Sequence, residues 1–146
     1  MAFVLGKDCK LYRNTGSYGT PAWNEIPNCK DLTLNLETSE ADVTTRGNNG
    51  WEAVVAALNR GSIDFQMVYD TADQDFTAVR DAYLNKGTIE FAVMDGDIAV
   101  SGKQGLRATC MTTNFSMSQP LEEAVTVDVS IKPTYAANAP SWYTVP

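Results

Sequence analysis

The sequence predicts a mainly β domain with one flanking α-helix. Three observations carry that expectation: period-two alternation of apolar and polar residues in several segments, a single segment with helical spacing, and prolines set at the ends of the strongest strand pattern. At 146 residues the chain suits one domain, residues 1–146. A domain near that size buries roughly 68–70% of its unfolded surface, enough for a real core. Residues 136–146, which include Trp142 and Tyr143, read as a C-terminal extension, an arm that docks on a neighbour.

The strands follow from the alternation. Leu32, Leu34 and Leu36 alternate with Thr33, Asn35 and Glu37; Ile63, Phe65, Met67 and Tyr69 with Asp64 and Gln66; Ile89, Phe91 and Val93 with Glu90 and Ala92. Val125, Val127, Val129 and Ile131 alternate with Thr126, Asp128, Ser130 and Lys132, between Pro120 and Pro133, after a looser strand from Leu106 to Met117. Short strands are expected at Phe3 to Leu5 and Lys10 to Tyr12, with a Gly-rich turn from Asn14 to Pro21. The helix is expected at about Asp73 to Lys86, with Thr71 as N-cap, Phe76, Val79 and Tyr83 as its packing stripe, and Gly87 as its stop.

Between two strand patterns lies an unusual connection, about Ser39 to Arg60. It is longer than the 12–15 residues at which a structureless loop is normally functional or disordered. Trp51, Val54, Val55 and Leu58 would leave it with an apolar patch in water, so it should lie on its own domain or on a neighbouring copy. Glu52 to Leu58 has room for a short helix.

Composition excludes several functions. The absence of histidine removes the commonest general base and metal ligand and any His-containing triad. A net charge of −7 opposes coating nucleic acid, whose affinity comes largely from Lys and Arg. Cys9, Cys29 and Cys110 are odd in number and lack a CxxC pair, so they read as reduced and mostly buried thiols, neither a disulfide framework nor a zinc site. No signal peptide and no apolar run of about 18 residues is visible, and a soluble protein made in a cytoplasm is expected.

The candidate chemical sites each have a plainer explanation. Asp70, Asp73 and Asp75 lack the order of a calcium loop and suit helix capping; Asp95-Gly96-Asp97 is first a turn. Glu122 and Glu123 are adjacent and on a strand would point to opposite faces. Arg46-Gly47-Asn48-Asn49-Gly50 lacks the Gly-Lys-Ser/Thr ending of a phosphate loop. No catalytic, cofactor or metal site is therefore expected.

An open sheet of such strands exposes unpaired edges, which close either when a single chain of this length folds back on itself or when identical chains join edge to edge in a ring. Here the residues resemble a known family. DVTTRGNNGW at Asp42 to Trp51, the block from Ser62 to Asp95, and LEEAVTVDVSIKPTY from Leu121 to Tyr135 are similar to the tail tube, or major tail, proteins of long-tailed bacteriophages and related prophage or gene-transfer particles. The resemblance implies a β-sandwich with one flanking helix, hexameric rings stacked into a hollow tube for DNA delivery, and a long loop bridging rings. It also implies tape measure, tail terminator and tail tip proteins as partners, and a place in the virion tail after synthesis in the host cytoplasm.

On that reading Asp42, Arg46, Trp51, Val54, Val55 and Leu58 form the inter-subunit loop, and Thr33, Asn35, Glu37, Asp64, Gln66, Thr126, Asp128 and Ser130 face the lumen, the alternative being that some of these strand faces lie on the outer wall. DNA would pass without specific binding, no membrane is involved, and a net-acidic wall would keep a polyanion from sticking. Lys132 works against a uniformly negative wall. Two rivals are a monomeric lectin-like β-sandwich stacking a sugar on Trp23, Trp51 or Trp142, and a hydrolase using carboxylates alone.

Overall fold

The computed structural model describes residues 3–146. Eight strands form one antiparallel sheet, with a single α-helix among the described residues. In chain order the elements are β1 (Lys10–Asn14), β2 (Trp23–Glu25), β3 (Cys29–Asp42), β4 (Val54–Val68), α1 (Gln74–Asn85), β5 (Thr88–Met94), β6 (Gln104–Ser118), β7 (Thr126–Pro133) and β8 (Ser141–Thr144). The sheet order is β2-β1-β5-β6-β7-β4-β3, with β8 also paired to β6.

The expected sandwich is this one sheet folded over. Its hinge is β6, whose first half pairs with β5 and β8 and whose second half pairs with β7, the register shifting between Thr112 and Asn114. A bulge of this kind bends a strand and raises its twist. Phe65 on β4 and Phe91 on β5 are three places apart in the sheet, yet their rings lie 6.3 Å apart, so the two halves face each other. Leu11, Ile63, Met67, Val127, Val129 and Ile131 fill the space between them. At Gly105 the β5 backbone comes so close that any Cβ would collide with the Val93 carbonyl.

The helix covers the seam near β6. Val79 is fully buried, Phe76 packs edge-on against Tyr69 at 4.9 Å, and Tyr83 stacks on Phe115 at 5.8 Å. Its N-cap is Asp73 and not Thr71, because the Asp73 carboxylate accepts the Asp75 backbone N–H at 3.0 Å. The left-handed residue that ends it is Lys86 at φ 56°, one place before Gly87.

Other expectations need correction. Phe3 to Leu5 form no strand; they are exposed and lead into a 3-10 turn, Gly6–Asp8. Glu122 and Glu123 sit in an exposed turn, not on a strand. Cys9 is exposed and Cys29 half-buried, leaving only Cys110 fully buried. Burial pushes the Cys29 thiol up to about 11 and the Cys110 thiol up to about 12. The segment from Pro140 onward is anchored on its own chain: β8 pairs with β6, Leu106 opposite Trp142, along the edge that β7 occupies farther on.

Candidate functional site

Half of the connection from Ser39 to Arg60 is strand. β3 and β4 stay paired from Leu32 opposite Phe65 out to Asp42 opposite Val54, so they form a long hairpin whose loop is residues 43–53. The proposed short helix at Glu52 to Leu58 is absent, because Val54 to Leu58 pair as β strand, for which the β-branched Val54 and Val55 are suited. Near the middle, Ala56 pairs with Glu40 but Asn59 with Thr38, so β4 carries one extra residue there. Ser39 secures this bulge, its hydroxyl accepting the Leu58 N–H at 3.0 Å and donating to the Leu58 carbonyl at 3.3 Å.

The tip is ordered by short-range bonds. The Asp42 carboxylate accepts the Thr44 N–H at 2.9 Å, and hydrogen bonds from Thr44 hold its pKa below the usual carboxylate range. Asn49 at φ 55° and Gly50 at φ 84° turn the chain into Trp51. Among the described residues the apolar set is left largely open to solvent: Trp51 is 77% exposed, Leu58 72%, Val54 54% and Val55 49%. Leu36 and Val43, also exposed, were not anticipated as part of this surface. Leu36 reads as core by its alternation with Leu32 and Leu34, but it pairs with Gly61, past the last residue of β4 that pairs with β7, and stays exposed at the rim of a groove shared with Pro133 and Pro140.

The residues proposed for a lumen do converge. Register places Thr33 beside Asp64 and Ser130, Asn35 beside Ser62, Glu37 beside Arg60, and Gln66 beside Asp128, with Thr126 at the end of the row. All lie on the face of β3-β4-β7-β6 opposite the core residues Ile63, Phe65, Val127 and Val129. The Ser130 hydroxyl donates to Asp64 at 2.5 Å and the Gln66 amide to Asp128 at 3.0 Å. Asn114, Ser116 and Ser118 of β6 join the face opposite Ser130, Asp128 and Thr126. Their own N-x-S-x-S alternation is the signal that could have found them. Among the residues paired in register on this face, Glu37, Asp64 and Asp128 stand against Arg60 and Lys132, three acidic and two basic groups, a net −1 per chain.

This polar half-sheet has two open borders. Among the described residues β3 pairs only with β4, and β6 beyond Met111 pairs only with β7, so each leaves a row of backbone groups without a strand partner.

The alternative sites do not assemble. Asp73 caps the helix and accepts from Asn28 at 3.1 Å, while Asp75 is buried against Arg13 at 3.0 Å and Asn24 at 2.9 Å. Burial pushes the Asp75 carboxyl up, and the bonds from Arg13 and Asn24 pull it back. Asp95 closes the turn before β6 by accepting the Gln104 N–H at 3.0 Å. No group of three or more metal-ligating side chains gathers among the described residues. Trp23 does not stand free for a sugar; it lies against the Arg107 guanidinium, 5.1 Å from its ring. Arg107 itself was missed. It is buried, paired with Glu90 at 2.9 Å, donates to the Tyr18 carbonyl at 2.6 Å, and sits 3.8 Å over the Tyr18 ring and 5.7 Å from that of Tyr143. It fastens the turn after β1 and the last strand to β5 and β6.

A mainly β subunit with an arm, a polar face and two open edges is a part built for assembly. The model of the phage tail tube protein family matches residues 5–134, and the chain belongs to that family of structural tail proteins. It is a structural subunit of a phage tail tube. Among solved structures, it is similar to a chain in the tail of an empty gene transfer agent particle determined with C6 symmetry, at 19% identity, covering 96% of this chain and 98% of that one, with a TM-score of 0.74. The SPP1 tail tube gives 17% identity, 88% and 74% coverage and a TM-score of 0.71. A chain of the anti-feeding prophage baseplate, sixfold symmetrised, gives 10% identity, 99% and 98% coverage and a TM-score of 0.64. No curated protein matches the chain.

Proposed function

We propose that six copies of the chain close into a ring and that rings stack into a hollow tube through which DNA passes. The observation that carries this reading is the four-stranded polar face bordered by two unpaired strand edges. Joining β3 of one copy to the outer half of β6 of the next satisfies both rows of backbone groups and leaves no edge. The sixfold symmetry of the similar gene transfer agent tail supports six as the number.

In such a ring the polar faces line the channel. Thr33, Asn35, Glu37, Asp64, Gln66, Thr126, Asp128 and Ser130 then present hydroxyls, amides and carboxylates to the DNA. A net −1 per chain gives about six negative charges per ring, so the wall as a whole does not draw in a polyanion, the acidic groups outnumbering Arg60 and Lys132. Transport is passive and the subunit does no chemistry. The hairpin, with Asp42, Arg46, Trp51, Val54, Val55 and Leu58, reaches an adjacent ring, where its exposed apolar residues become buried. Tape measure, terminator and tip proteins complete the tail within the virion, and the subunit is made in the host cytoplasm before assembly.

Negative-stain electron microscopy of the concentrated purified protein tests the reading: hollow tubes with sixfold end views are expected. A solution mass of one chain at every concentration, with affinity for a sugar, supports the lectin-like alternative, for which Trp51 and Trp142 remain exposed.

A further inference from the structure

A groove of about 700 Å³ opens between the start of β3 and the β5–β6 side of the folded sheet. Leu11, Ile26, Leu32, Leu34 and Val93 make its walls apolar, and Trp142 stands at its border. Trp142 is 58% exposed although its indole N–H is satisfied by Gln104 at 2.8 Å, so its ring faces outward for want of a partner. The groove takes in the first residues of β3, whereas the hairpin tip lies beyond its last. Fourteen residues separate these ends, about 45 Å at roughly 3.3 Å per residue. A chain cannot fill its own groove with its own tip, but a second copy stacked head to tail brings tip and groove together.

We infer that this groove is the socket for the hairpin tip of a second copy in the adjacent ring, Trp51 entering between the apolar walls beside Trp142. The inference rests on the stacked-ring reading above. Two features single out this occupant. The tip and the groove are both exposed and apolar, each with a tryptophan, and interface anchors of that type tend to pair with one another. The charges also oppose. Around the tip Glu40, Asp42 and Glu52 stand against Arg46, a net −2, while the groove holds Lys7, Lys10 and Lys30 against Glu25 and Asp95, a net +1 in a chain of net −7. Lys10 is paired with Glu25 at 3.6 Å, and Lys7 and Lys30 have no ion pair among the described residues. Asp8 and Asp31, their sequence neighbours, do not line the groove.

Native thiols make the contact testable, since Cys9 and Cys29 line the groove. In assembled Glu52→Cys tubes, a short bis-maleimide should join chains into a ladder on a denaturing gel. Peptide mapping should show the introduced thiol linked to Cys9 or Cys29, and Cys9→Ser should remove most of that linkage. In parallel, Trp142→Ala should raise the concentration needed for tube growth at least tenfold. Adding it to Trp51→Ala should then do less than the product of the two separate effects, because both remove one contact. Tubes that form without this linkage, or two substitutions whose effects multiply, would overturn the socket and leave the rings standing. In that case the groove holds the chain's own N-terminal segment or a neighbour in the same ring. Failure of the unmodified protein to form tubes at all would instead overturn the ring reading, and the socket with it.

Discussion

Replacing Trp51 by Ala separates folding from assembly. A tryptophan buries roughly 150–250 Å² when covered, and Trp51 is 77% exposed within one chain. About 150 Å² thus remains to be buried by a neighbour, about 4 kcal/mol at ~25 cal/mol per Å². Truncation of such an anchor commonly costs 2 kcal/mol or more. Taking about 2–4 kcal/mol, and tenfold per ~1.4 kcal/mol, the concentration at which tubes grow should rise between about 30-fold and about 1000-fold. The fold should barely notice, since exposed substitutions usually stay within about 0.5 kcal/mol, or about 2 °C in Tm at this size. The assay is pelleting of tubes against total protein, with thermal unfolding of the unassembled subunit as the control. A variant that grows tubes at the parental concentration, or whose subunits unfold, refutes the reasoning.

Further outcomes are expected elsewhere in the molecule. Asp128→Lys should still give tubes, because Asp128 is exposed and bonded only to Gln66; DNA ejection from particles carrying it should slow at low salt and recover at high salt, and normal ejection at low salt would remove this face from the channel. Arg107→Met should leave Glu90 buried without its partner and lower stability by about 3–5 kcal/mol, some 6–20 °C in Tm, with Glu90→Gln in the same chain restoring part of the loss on thermal unfolding. Iodoacetamide should label Cys9 of the native subunit near pH 8 and spare Cys29 and Cys110, as read by mass spectrometry. Because folding raises both of those thiols from 9.0, to about 11 and about 12, their stabilising contribution is complete below pH 9 and is lost as pH rises toward those values. Denaturant titrations from pH 8 to 11 should show stability falling, and falling less in Cys110→Ala.

The sequence by itself determined which residues alternate and therefore which share a face. Thr33, Asp64, Asp128 and Ser130 could be grouped in advance because side chains on a strand point to opposite sides in strict turn, whatever the strand's neighbours. Helix α1 was legible for the same local reason, through the spacing of Phe76 and Val79. The hairpin arm was not, because Gly61, the bulge near Leu58 and the exposed Val54 and Val55 break the alternation that marks a half-buried strand; out there neither face is covered, so burial imposes no pattern. Arg107 was invisible for a related reason. A lone arginine in a strand reads as solvent-facing, and only the arrival of Glu90, Tyr18 and Tyr143 from distant positions makes a place where it can be buried. The short strand β8 and the groove beneath Trp142 likewise exist only once β6 has bent to offer an edge. Local periodicity is written residue by residue, whereas pairing partners, buried charges and open edges follow from where the folded sheet brings distant segments together.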